Sequence, residues 1–260
     1  MVSGKSSKAV RNARAAVVTR RSTPWGTIVA VAVIVLVAAA FIGYPLYVGQ
    51  QRGEFEEALA PFTPTADNQD PARQIEGIEV VTFQGGATQH VTREQRVAYT
   101  HTPPIGGVHD FYWAACNGIV YPEAVRSENL VHSLEHGAVW IAYDPDQLDD
   151  AGVEALAARV AGQPFMVMSP YPGMETPISL QSWGHQLKLS DPNDVRIDQF
   201  IQALRRNQYT VPEPQGTCNV NDPDAFDVDN PPPFVPAPPV SEIDGQTVVP
   251  EVLGEPAPAN

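Results

Sequence analysis

The stretch GTIVAVAVIVLVAAAFIGYPLYV, residues 26–48, contains no charged side chain. Few structures can accommodate such a run. As a helix it extends roughly 34 Å, enough to cross the hydrocarbon interior of a bilayer, where every backbone N–H and C=O must be bonded within the segment. Trp25 at one end and Tyr44 and Tyr47 at the other suit the two membrane interfaces. Residues 1–25 carry Lys5, Lys8, Arg11, Arg14, Arg20 and Arg21 and no acid, whereas Glu54, Glu56 and Glu57 follow the span. That asymmetry predicts a cytoplasmic N-terminus and an extracytoplasmic remainder. A cleaved signal peptide is the rival reading, with Ala38-Ala39-Ala40 as its cleavage site. Against it, the apolar run continues through Phe41 to Val48, and the basic arm is long for such a signal. The expectation is an uncleaved single-pass anchor in the cell membrane.

The whole chain has 260 residues and a net charge of −14, so the part beyond the basic arm is more acidic still. Phosphate contacts need clustered Lys and Arg, which excludes nucleic acid as the expected partner. The expected partner is the lipid bilayer through residues 26–48, with a membrane protein as a further option. Cys116 and Cys218 are the two cysteines. In an oxidising compartment an isolated pair reads as one disulfide, here closing a loop of about a hundred residues and worth about 4–5 kcal/mol. The alternatives are two unrelated buried thiols, or two metal thiolates lacking a Cys-x-x-Cys neighbour.

Composition divides the chain into a basic arm (1–25), the span (26–48), a juxtamembrane helix and linker (49–76), a globular domain (77–220) and a tail (221–260). Within the domain, IEVVTF (78–83) and QRVAYT (95–100) read as strands, followed by the Pro- and Gly-rich loop HTPPIGGVHD. SENLVHSLEHG reads as a helix with Ser127 as N-cap and Gly137 as the residue that ends it. Beyond it, strands are expected at 138–143, 165–171 and 177–189, the last with Gly184 as a bulge. Helices are expected at 149–162 and 194–206. The fold class is therefore α+β (or α/β), a small mixed sheet with β-α-β-β-α order in its C-terminal half. Thioredoxin-like folds are among those sharing that order. The tail has no Lys or Arg and many prolines, and is expected to be disordered.

All six histidines fall beyond the span: His90, His101, His109, His132, His136 and His185. Residues four apart share one helix face, so His132 and His136 can converge on one metal ion. The spacing His-x-x-Glu-His also matches the inverzincin signature, with Glu135 as general base on metal-bound water. His109, from the Pro-Pro and Gly-Gly loop, is the expected third ligand, and His90 a further ligand or a partner behind the first. The plain structural alternative has the imidazoles capping a helix C-terminus, where cations are favoured. Met166 and Met168, two apart on a strand, project together. Thioethers with imidazoles favour copper(I) over zinc, whereas the same pair as core packing leaves zinc in contention.

PPIGGVHDFYWAACNGIVY and ENLVHSLEHGAVWIAYDP, with His90-Val91, Pro170-Tyr171 and Ser182-Trp183-Gly184, resemble the bacterial family called domain of unknown function 3105. The resemblance covers roughly residues 77–206, and Ile105-Gly106 stands where that family more often has Thr-Ser or a similar pair. It implies single-pass membrane proteins of actinobacterial type and draws attention to His90, His109, His132 and His136, but supplies no reaction. The leading expectation is a membrane-anchored extracytoplasmic domain holding copper, or zinc, through His109, His132, His136 and His90, with Glu135 orienting an imidazole and Met166 and Met168 as weaker ligands. The alternatives are a metal-dependent hydrolase using Glu135, and a non-catalytic accessory subunit of an envelope or respiratory membrane complex.

Overall fold

The computed structural model describes residues 24–83, 88–239 and 247–248. Residues 1–23 of the basic arm and most of the tail's end lie outside them. Two compact units divide near Glu56. In the first, the uncharged run forms one helix, α1 (Trp25–Leu59), which continues through the stretch expected as a separate juxtamembrane helix. It is long and apolar enough to cross a membrane, although a signal sequence meets the same criteria.

The second unit is a mixed six-stranded sheet. Its strands are β1 (Glu79–Val80), β5 (Asn117–Val120), β6 (Val139–Tyr143), β7 (Met166–Pro170), β8 (Ile178–Ser182) and β9 (His185–Leu189), in the order β1-β9-β8-β6-β7-β5. Strand β6 pairs in parallel with β7 and antiparallel with β8, and all five of its residues are buried, as a central strand covered on both faces requires. The class is thus the expected one, α+β with a mixed sheet and one preceding apolar helix. The stretch 177–189, read as a single bulged strand, is the β8–β9 hairpin. Gly184 takes φ +70° in its turn, and its backbone lies so close to the Val81 carbonyl that a Cβ there would sit 2.4 Å away. Between β7 and β8 the residues form a Pro172-Gly173 turn, so the two strands follow each other without a helix, as in the expected order.

Alternation along β6 sorts the core into two layers. Val139 and Ile141 face α3 (Asp150–Val160) and α4 (Val195–Leu204), packing with Leu156, Val160, Ile197, Phe200 and Leu204. Trp140 and Ala142 face α2 (Ser127–Glu135), packing with Leu130, Val131 and Leu134. Helix α2 ends in a Schellman motif: the Gly137 N–H donates to Leu134 O (2.9 Å), the Ala138 N–H to Ser133 O (3.0 Å), and Gly137 takes φ +95°. Its start differs from expectation. Arg126 is the N-cap, with no side-chain capping bond, and Ser127 is the first helical residue.

Cys116 and Cys218 are joined in a disulfide 102 residues apart in sequence. The described part of the tail, 221–239, is packed on the domain rather than free as expected. Phe226 is buried, Phe234 contacts Tyr171, and the Arg126 N–H donates to Pro232 O while the Phe234 N–H donates to Ala124 O. Thr247–Val248 (β10) pairs with β3 (Arg96–Val97). The linker is also docked, with Pro71 and Ala72 buried and Asp70 beside His185.

Replacing Cys116 and Cys218 by serine is expected to lower the unfolding free energy by about 4–5 kcal/mol through the released chain entropy. Denaturant unfolding of the two forms reads this directly; coincident midpoints would contradict it.

Candidate metal centre

Three segments distant in sequence supply the polar cluster. Strand β2 (His90–Val91) pairs in parallel with β4 (His109–Asp110), in a register that sets His90 opposite His109. The third segment is α2, which packs against β4 and presents His132 and Glu135, three apart, on one face. The imidazole centroids stand 4.9 Å apart for His90–His109, 5.0 Å for His90–His132 and 4.7 Å for His109–His132. One ligand atom from each of His90, His109, His132 and Glu135 lies within 4.8 Å of all the others.

Hydrogen bonds behind the rings determine which nitrogen faces inward. His109 Nδ1 lies 2.8 Å from Gly107 O and His132 Nδ1 lies 2.8 Å from Asp110 O. A carbonyl oxygen only accepts, so each Nδ1 carries the proton and donates it, leaving a lone pair on each Nε2. His109 Nε2 stands 3.0 Å from Glu135 Oε2, and His132 Nε2 stands 3.8 Å from the same oxygen. His109 Nε2 and both Glu135 carboxylate oxygens are buried and accept or donate no hydrogen bond within the protein. Burial and the neighbouring His109 and His136 push His132 down to about 2, so its ring is neutral and available as a ligand at any physiological pH.

An acceptor-only carboxylate, 1 % exposed, facing lone-pair nitrogens is costly as it stands. A proton on His109 would relieve one pair and leave the other Glu135 oxygen unmatched. A divalent cation answers both carboxylate oxygens and the imidazole lone pairs together. Donors around a tetrahedral ion at about 2.0–2.1 Å sit roughly 3.3 Å apart, within the range spanned by these atoms. The arrangement, three imidazoles and one carboxylate, therefore fits a metal ion, with backbone carbonyls fixing the rings from behind.

Aromatic rings wall the cluster. Trp183 meets His109 edge-on, Trp113 meets His132 and His136, and Phe111 meets His90. His90 is the exposed member, beside Phe111, which is itself 60 % exposed.

His136 turns aside from the group containing His109 and His132. Its Nδ1 donates to Thr217 O (2.8 Å) and its Nε2 faces Glu213 at 3.5 Å. His90, expected as a further ligand or a partner behind the first, lies in that group. Burial lowers the pKa of both His90 and His136. Glu135 does not orient an imidazole through a ring N–H as expected, because backbone carbonyls have taken those protons; its carboxylate points at Nε2 lone pairs instead. Met166 and Met168 do share one face, but it is the face covered by α3 and α4, where both are fully buried among apolar side chains. The structure does not bring them to the imidazoles. Glu213 was not anticipated. The one signal pointing to it is its position five residues before Cys218, whose disulfide returns that segment to Cys116, near Trp113.

Residues 90–220 match the model of one protein family, described as "Protein of unknown function (DUF3105)". The match covers half the chain and contains His90, His109, His132, Glu135, His136 and Glu213. No curated protein and no solved structure matches the chain.

The loop carrying Thr217 approaches His136 through Gly216, where a Cβ would fall 2.4 Å from the ring carbons Cγ and Cδ2. Gly216→Ala is expected to displace ring or loop, destabilising the domain by about 1–3 kcal/mol and shifting the His136 imidazole resonances. An unchanged melting midpoint and spectrum would contradict that close approach.

Proposed function

The chain belongs to the family described as protein of unknown function DUF3105, and we propose that its folded domain is a transition-metal-binding module held at the cell membrane by α1. One observation carries the reading: the buried Glu135 carboxylate, without a hydrogen bond, faces the unprotonated Nε2 atoms of His109 and His132. His90 completes the donor set from the solvent side. The ion is divalent and of borderline softness, zinc or copper(II), because imidazole nitrogens and a carboxylate suit both. Copper(I) loses its basis, since the thioethers that favoured it lie in the other core layer. The hydrolytic alternative asks Glu135 to act as a base toward water, whereas its carboxylate is buried against His109.

The same reading places the domain outside the cytoplasm. The arm of six basic and no acidic residues on the N-terminal side of the apolar helix supports that orientation, as does the Cys116–Cys218 disulfide, which suits an oxidising compartment.

Full-length protein purified from membranes without chelator is expected to carry tightly held zinc or copper by elemental analysis. His109→Ala and His132→Ala should each weaken binding by more than the roughly 10–100-fold that follows loss of an outer hydrogen bond. Metal-free wild-type protein that stays metal-free on adding zinc or copper(II) would overturn the reading. Protease added to intact cells stripped of their outer layers should digest the domain and spare the basic arm. A mature N-terminus near Phe41 would instead identify a cleaved signal peptide.

A further inference from the structure

The His136 side of the cluster has no role in the site just described, yet it repeats the same construction. His136 Nδ1 is tied to Thr217 O, so its Nε2 bears the lone pair, and that nitrogen faces the Glu213 carboxylate at 3.5 Å. Ligand atoms of Glu135, His136 and Glu213 lie within 4.8 Å of one another. Glu135 is therefore common to two groups of donors. It has two carboxylate oxygens, both buried and neither hydrogen-bonded, which is one more than a single monodentate bond to an ion would use.

The surroundings hold this second group in position. The Glu213 N–H donates to the Glu135 carbonyl (3.2 Å), docking the loop on the C-terminal end of α2, and the Gly216 N–H closes a turn onto Glu213 O (2.9 Å). Two residues further on, Cys218 ties the loop to Cys116, whose own N–H donates to Cys218 O. Trp113 lies edge-on to both His132 and His136, whose centroids are 4.6 Å apart, so one wall serves both groups.

We propose that the centre holds two divalent transition-metal ions bridged by the Glu135 carboxylate, the first on His90, His109 and His132 and the second on His136 and Glu213. Carboxylate-bridged ions in protein sites sit about 3.5–4 Å apart. The second ion has two ligands of its own, one of them Glu213 with a side chain 55 % exposed. It is consequently the weaker and more exchangeable, with room for water or an anionic group at its open positions. The inference rests on the four-residue site proposed above, because Glu135 belongs to both.

The test is a cobalt(II) titration of metal-stripped full-length protein in detergent, followed by visible absorption, equilibrium dialysis and electron paramagnetic resonance. Wild type is expected to take two ions per chain in two steps, with the resonance of the first diminishing as the second couples to it. Glu213→Ala alters an exposed side chain, and His136→Ala a buried one; both should retain the first step and lose the second, bringing the stoichiometry to one. A single ion in wild type, or two ions unaffected by either variant, would overturn the two-ion centre and leave the four-residue site standing. No binding at all would overturn both.

Discussion

Helix α2 is buried along its whole length although most of its residues are polar or charged, and the domain is organised around satisfying it. A buried polar side chain without a partner costs on the order of 1–3 kcal/mol, so each face of this nine-residue helix must meet a segment that supplies partners. Asn129 reaches Tyr112 O and Ser133 reaches Ala114 O. Glu128 accepts from Arg96 Nε and the Val97 N–H. The Glu135 carbonyl receives Glu213. Only the Leu130, Val131 and Leu134 stripe rests on the sheet in the ordinary apolar manner.

The two ends of α2 meet this demand differently. At its start, Arg126 pairs with Asp110 and Glu128 and reaches Gln95 O, an ion network within which each charge has a counterpart. Asp110 contributes twice, since its carbonyl also holds His132 in the tautomer that exposes Nε2. At the other end, among the described residues, no lysine or arginine pairs with Glu135. The residues converging on it are imidazoles whose protons are already committed to backbone oxygens. Glu128 has guanidinium partners in Arg96 at 3.1 Å and Arg126 at 3.3 Å, whereas Glu135, on the same helix, faces only imidazoles, and the proposed metal site rests on that contrast.

Much of this framework was readable in advance. The uncharged run dictated α1, Gly137 marked the end of α2, and the isolated cysteine pair indicated the disulfide. The interest of the His132–His136 helix and of His109 was likewise legible, because helical period and loop composition are local properties. Membership of the candidate cluster was not. Glu135 lies as close along the helix to His132 as His136 does, and sequence spacing cannot say whether the i+3 or the i+4 residue meets His109. Glu213 arrives through the disulfide-tethered loop, which carries no periodic signal, and His90, named from the sequence as a further ligand or a partner behind the first, is set opposite His109 by a two-residue strand pairing. The packed Pro-rich tail was missed for the same reason: it holds by backbone bonds and isolated aromatic anchors at Phe226 and Phe234, not by an apolar face.

By itself, then, the sequence determined the membrane-length helix, the mixed α+β class and the residue types available for metal chemistry, because these follow from local composition and period. The tertiary structure decided which donors share one space and which are separated. The β2–β4 register brought His90 to His109, strand alternation sent Met166 and Met168 to the opposite core layer, and the Thr217 carbonyl turned His136 toward Glu213. The physical reason is that convergence of side chains depends on strand register and loop closure between segments tens to a hundred residues apart, and no local pattern encodes those.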